Sequence, residues 1–136
     1  MSVSFTRHYV NNGGANNARS VIAADIDGDS DLDIASASQD DHALRWYQND
    51  GQQSFTTRDI STSVTNARDV EALDIDGDGD VDLLCAGSGD DCAYFVDNDG
   101  SESFAFHCIP VDYVQSNVPM DVDGDALGRN QTSRRL

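Results

Sequence analysis

Two nine-residue stretches concentrate the residues best able to do chemistry. One is Asp25-Ile26-Asp27-Gly28-Asp29-Ser30-Asp31-Leu32-Asp33, and the other is Asp74-Ile75-Asp76-Gly77-Asp78-Gly79-Asp80-Val81-Asp82. Asp25, Asp27, Asp29, Asp31 and Asp33 thus answer, one for one, to Asp74, Asp76, Asp78, Asp80 and Asp82. Carboxylates at alternate positions repel one another strongly unless a cation sits among them. Ca²⁺ fits such a set best, because it takes roughly six to eight hard oxygen ligands in flexible geometry. Mg²⁺ prefers a smaller octahedral shell and keeps its waters, and Zn²⁺ selects His or Cys. By analogy with other Asp-rich calcium loops, positions 1, 3, 5 and 9 are expected to give side-chain oxygens, and position 7 its backbone carbonyl. Gly28, Gly77 and Gly79 permit the tight curl. Two Ca²⁺ sites are expected.

An EF-hand begins in a similar way but needs a bidentate Glu at its twelfth position, between two helices. Here the twelfth positions are Ser36 and Cys85, and the flanking segments read as strands. The EF-hand reading therefore fails. A third, degenerate loop keeps Asp121, Asp123 and Asp125, but Leu127 and Arg129 stand at its positions 7 and 9. A cation next to Arg129 would be repelled.

The loops belong to a larger unit. Residues 17–60 and 66–109 align without gaps at an offset of 49, with 20 identities in 44 positions. Asn49-Asp50-Gly51 recurs as Asn98-Asp99-Gly100, each followed by Ser-Phe. Short apolar runs between turn signals predict strands at 19–24, 32–37, 42–48 and 54–60, and again at 68–73, 81–86, 92–97 and 103–109. Asn-Asp-Gly between such runs marks a hairpin, since these residues tolerate positive φ. Four short strands in about 50 residues is the spacing of one β-propeller blade. The expected fold is all-β, with two complete four-stranded blades at 17–60 and 66–109. Residues 3–10 read as the outer strand of a preceding blade and 117–125 as the start of a third repeat. Residues 126–136 read as a basic tail foreign to the repeat.

Composition limits the partners. The chain has 136 residues and a formal net charge of -17; its 25 acidic residues are Asp except for Glu71 and Glu102, and all eight basic residues are Arg. This balance disfavours nucleic acid, whose phosphates require clustered basic residues, and docking on anionic membranes. No apolar stretch is long enough to span a bilayer, and no signal peptide is read in residues 1–20. A salt-adapted solvated surface would also be acidic, but it would not place carboxylates in phase at the repeat period.

The chain resembles the FG-GAP/VCBS repeats of integrin-α-type β-propellers. The resemblance rests on the two Asp loops, on Val21-x-Ala23-x-Asp25 and Val70-x-Ala72-x-Asp74, and on the Asn-Asp-Gly-x-x-Ser-Phe turns. It covers about residues 3–125. It implies structural Ca²⁺ in the loops joining the first two strands of each blade, an extracellular or cell-surface origin, and a part in adhesion or ligand binding. A full propeller needs several blades, typically about four to eight, so unpaired blade edges are expected to draw in other copies as a homo-oligomer.

Other signals are weaker. His8, His42 and His107 share no spacing with a nucleophile and read as structural or solvent-facing. Cys85 and Cys92 could face each other across a hairpin, leaving Cys108 as a free thiol or an intermolecular link. Trp46-Tyr47 reads as blade core rather than a sugar-stacking platform. No catalytic constellation emerges, so the chain is expected not to be an enzyme. The alternatives are a carbohydrate-binding lectin-like propeller and a fragment of a polysaccharide-active propeller enzyme.

Overall fold

The computed structural model describes residues 6–10, 14–89 and 91–111. Each repeat folds as an antiparallel meander. In the first, β1 (Ala18–Ala24), β2 (Asp33–Ser38), β3 (Ala43–Asn49) and β4 (Phe55–Ser61) pair in that order. In the second, β5 (Ala67–Leu73), β6 (Asp82–Gly87), β7 (Cys92–Asn98) and β8 (Phe104–Pro110) do the same. No helix occurs among the described residues. The expected all-β fold of two four-stranded blades is therefore the observed one, and every strand begins and ends within one residue of its sequence-based range.

Register explains the alternation of side chains. Ala35 lies opposite both Ile22 and Trp46, and Ala37 opposite Leu44. These residues share one face of the first sheet, since directly opposed residues on antiparallel strands point the same way. In the second sheet Val70 opposes Cys85, and Leu83 opposes Val96. The two faces meet in a single core of Ala35, Ala37, Leu44 and Trp46 against Val70, Leu83, Cys85 and Val96, sealed by Ile26, Val64 and Ala67. Small alanines on the central strand β2 let the sheets approach, and Trp46 fills the width beyond them. Each fully buried Leu or Val here contributes about 1.5–3 kcal/mol. Trp46 and Tyr47 are both buried, Trp46 in the core between the sheets and Tyr47 on the opposite face, where its hydroxyl meets Ser36 Oγ at 3.1 Å.

The connector between the blades is pinned locally. His42 Nδ1 accepts the N–H of Asn66, and its carbonyl accepts the N–H of Val64. Val64 is thereby held in the core. Residues 6–10, inside the span expected as an outer strand, form no strand, since neither sheet takes them into its ladder. Residues 3–5, the third repeat at 117–125 and the tail at 126–136 lie outside the described residues.

The cysteines pair differently from the sequence expectation. The disulfide joins Cys92 to Cys108 across β7 and β8, with Cα atoms 5.5 Å apart, while Cys85 stays a buried thiol. Tyr94 opposes both Cys85 and Cys108, so Cys92 has a cysteine diagonally placed on either side. Cys85 is committed to the inter-sheet core, whereas Cys108 lies on the exposed edge strand. Cys108 is consequently neither a free thiol nor a link to another chain.

Candidate metal centre

Each Asp loop joins the first two strands of its blade, β1 to β2 and β5 to β6. Its shape comes from carboxylates capping the loop's own amides. In the first loop Asp27 Oδ1 accepts the N–H of Asp29, Asp25 Oδ2 that of Ser30, and Asp29 Oδ1 that of Asp31, at 3.3, 2.9 and 2.8 Å. In the second, Asp76 Oδ1 accepts from Asp78, Asp74 Oδ2 from Gly79 and Asp78 Oδ1 from Asp80, at 3.1, 3.1 and 2.9 Å. Asp74 Oδ1 also accepts the Gly77 N–H at 2.7 Å. The curl needs left-handed residues, and Gly28, Gly77 and Gly79 supply φ of 75°, 84° and 100°. Ser30 adopts φ 77° where the second loop has glycine.

These turns bring three carboxylates together in each loop. One oxygen from each of Asp25, Asp27 and Asp29 lies within 4.8 Å of the others, and Asp74, Asp76 and Asp78 repeat the arrangement. The ion pairs among the described residues run through Arg45 and Arg58 and reach neither triad. Asp25 Oδ1 is buried with no hydrogen-bond partner. A buried carboxylate oxygen without a partner, on a residue clustered with two more carboxylates, suits a hard divalent cation, so these residues fit Ca²⁺.

Like-charge crowding is visible at Asp76. The Asp78 N–H pulls its pKa down, but desolvation and the charges of Asp78, Asp82 and Asp97 together push it above the ordinary value of 3.8. Asp33 is also raised. Burial dominates there and the charge of Asp27 adds to it, while the N–H groups of Asn49 and Ile26 act in the opposite sense. The Trp46 indole N–H also favours the charged form of Asp33, without an aligned hydrogen bond of its own.

The remaining two Asp of each loop lie outside the triads. Asp33 and Asp82 are fully buried. Asp33 accepts the N–H of Ile26 on one oxygen at 3.2 Å and that of Asn49 on the other at 2.7 Å. Asp82 does the same with Ile75 and Asn98, both at 2.9 Å. The ninth residue thus closes the loop on itself and ties it to the end of β3 or β7. The seventh residue turns toward the neighbouring hairpin. A Cβ on Gly51 or Gly100 would collide with the carboxylate of Asp31 or Asp80. Glycine at these Asn-Asp-Gly turns therefore satisfies both a positive φ, 73° and 69°, and a close approach by the Asp loop. Asp121, Asp123 and Asp125 lie outside the described residues.

Sequence reasoning missed the structural weight of Asn49 and Asn98, read only as turn formers. Asn49 Nδ2 donates to the Leu32 carbonyl at 3.0 Å, and Asn98 Nδ2 to that of Val81 at 3.0 Å. Asn98 reaches further, donating to the Ile26 carbonyl of the other blade at 2.8 Å. Gln48 likewise joins Asp27 to Glu102, at 2.6 and 3.1 Å. The recurrence of Asn at the 49-residue offset was the available signal; Gln48 had none.

A cleft of about 250 Å³ is lined by Trp46, Arg58, Asp59, Ile60, Glu102 and Phe104. Its charges are already paired, Arg58 lying 5.3 Å above the Trp46 ring and 3.1 Å from Glu102, and Asp59 bonding Arg45 outside the cleft. Of the histidines, His107 stacks on Phe95 and His42 pins the connector.

Comparison with curated proteins and with solved structures gave no match. The model of the FG-GAP-like repeat matches residues 25–85. That span opens on the first Asp loop and runs through the second into β6, so the resemblance read from the loops is matched in the same residues.

Proposed function

We propose that this β-propeller-type repeat module binds Ca²⁺ structurally, with one ion in each Asp loop, and serves as a non-catalytic binding or adhesion unit. The observation that carries this reading is the pair of three-carboxylate groups at equivalent positions, one containing a buried oxygen without a partner. Asp25, Asp27 and Asp29 would hold one ion and Asp74, Asp76 and Asp78 the other. The ion supplies positive charge where desolvation and mutual repulsion oppose closing the loop. The chain's own part is to pre-form the curl through its capping amides and to anchor it through Asp33 and Asp82. An extracellular or cell-surface setting accords with the Cys92–Cys108 disulfide, since such bonds persist in oxidising compartments. No helix among the described residues is long and apolar enough to cross a membrane.

Ligand binding to the native state stabilises it by about 2.7 kcal/mol per site at a hundredfold excess over Kd. Melting curves in millimolar Ca²⁺ should therefore lie well above those in chelator, by at least about 10 °C for a domain of this size. Coincident curves would reject the proposal.

A further inference from the structure

The contact between the two sheets joins the face of the first bearing Trp46 to the face of the second bearing Val70. Because the repeats superpose at an offset of 49, each outer face is the counterpart of a face already used inside the chain. The outer face of the first sheet carries Val21, Ala23, Ile34 and Tyr47, at the places of Val70, Ala72, Leu83 and Val96. The outer face of the second carries Leu84, Phe95 and Ile109, at the places of Ala35, Trp46 and Ile60.

Parts of both outer faces lack the cover their counterparts have, although Tyr47 and Leu84 are buried. Val70 is 3% exposed and Val21 66% exposed. Trp46 is fully buried, whereas its counterpart Phe95 is only half-buried. Ile26 is buried, while Ile75 is half-buried.

Three of the specific contacts that join the blades have their chemistry intact for a second use, whereas the Arg58–Glu102 ion pair does not, since His107 and Gln53 stand at those places. Phe104 packs edge-on to Trp46, with ring centroids 5.8 Å apart; the equivalent pair, Phe55 with Phe95, is aromatic too. Asn98 Nδ2 donates to the Ile26 carbonyl; Asn49 and Ile75 repeat both partners. Ser20 Oγ donates to Asp69 Oδ1 at 2.9 Å, across a separation equal to the repeat offset. A Ser20 from another copy would meet Asp69 again, and a carboxylate can accept both hydroxyls. Glu71 stands where the first sheet has Ile22, so the new contact is less apolar than its template on that strand.

We propose that the outer face of the second sheet docks the outer face of the first sheet of a second copy of this chain, repeating the inter-blade packing head to tail. Such a contact is heterologous, and it closes into a ring when its rotation allows. Two to four copies would supply about four to eight blades, the range in which propellers close.

The test is sedimentation equilibrium of the chain in non-reducing buffer with Ca²⁺, at about 100 µM. The wild type is expected at two to four times its 14.7 kDa mass. Val21→Asp spoils one face and Phe95→Asp the other, so each alone should be monomeric with an unchanged far-UV circular dichroism spectrum. Ala105→Arg, at an exposed site on the same face as Phe95, replaces Phe95→Asp should that variant unfold. An equimolar mixture of the two single-face variants retains one good face of each kind and should give a dimer that grows no further. A monomeric wild type, as would occur if residues 117–125 covered the second sheet, overturns the proposal. So does either variant assembling alone like the wild type, or a mixture that stays monomeric.

Discussion

Asp33→Asn distinguishes a residue that organises the loop from one that serves only to hold a cation. The Asp33 carboxylate is fully buried and receives backbone N–H groups on both oxygens, from Ile26 and Asn49. An asparagine keeps one oxygen and presents an NH₂ group to the other donor, so one buried N–H loses its acceptor in either orientation. That loss costs about 1–3 kcal/mol. Removing a desolvated charge offsets part of it, because burial already raises the pKa of Asp33. At about 3–4 °C per kcal/mol for a chain of 136 residues, the melting temperature in chelator should fall by roughly 3–10 °C. Asp29→Asn is the control. It keeps an oxygen for the Asp31 N–H while removing one of three clustered charges. Its metal-free melt should stay level or rise slightly, and its gain from Ca²⁺ should shrink. Circular dichroism melts of both variants, with and without Ca²⁺, give the four numbers required. If metal-free Asp33→Asn melts at or above the wild type, Asp33 matters only as a charge and the anchoring role is wrong.

Two further outcomes follow from the same geometry. Asp33 and Asp76 are raised above 3.8, so the folded state binds their protons more tightly than the unfolded chain. Their contribution to stability falls as pH rises from 3.8 through the folded values and recovers on acidification. Metal-stripped protein should thus melt no lower at pH 5 than at pH 7.5, whereas Ca²⁺-loaded protein should lose stability because protons compete with the ion; a steep acid loss in the metal-stripped sample would contradict this. Reducing the Cys92–Cys108 bond, which spans a sequence separation of 16, should cost about 3 kcal/mol on the chain-entropy account. Peptide mapping under native conditions should find that pair linked and Cys85 resistant to alkylation until the protein unfolds.

The strands were legible because each repeat alternates apolar runs with Asn-Asp-Gly turns, and duplication displayed the pattern twice. The Asp loops were legible for the same reason, together with the preference for Asp over Glu. What each Asp does was not. Spacing shows that carboxylates recur at every second residue, but not that the ninth points inward to two backbone amides or that the seventh leans against a glycine of the adjacent hairpin. Those roles depend on β3 and β7 returning beside the loop, a tertiary fact with no local signature. The cysteine pairing was hidden differently: Cys92 has a same-face cysteine on both neighbouring strands, and only burial of Cys85 between the sheets separates the two partners.

Ser20 and Asp69 hold the same place in successive units, yet they touch each other. After a duplication, identical residues cause no conflict wherever each copy contacts something else. At a place where a residue meets its own duplicate, identity is itself a constraint: two aspartates here would set like charges against each other at hydrogen-bonding range, whereas a serine and an aspartate bond. The seam between the blades is thus where the two halves of the gene gain most by drifting apart, and self-meeting positions of this kind are where sequence divergence between repeats should be sought first.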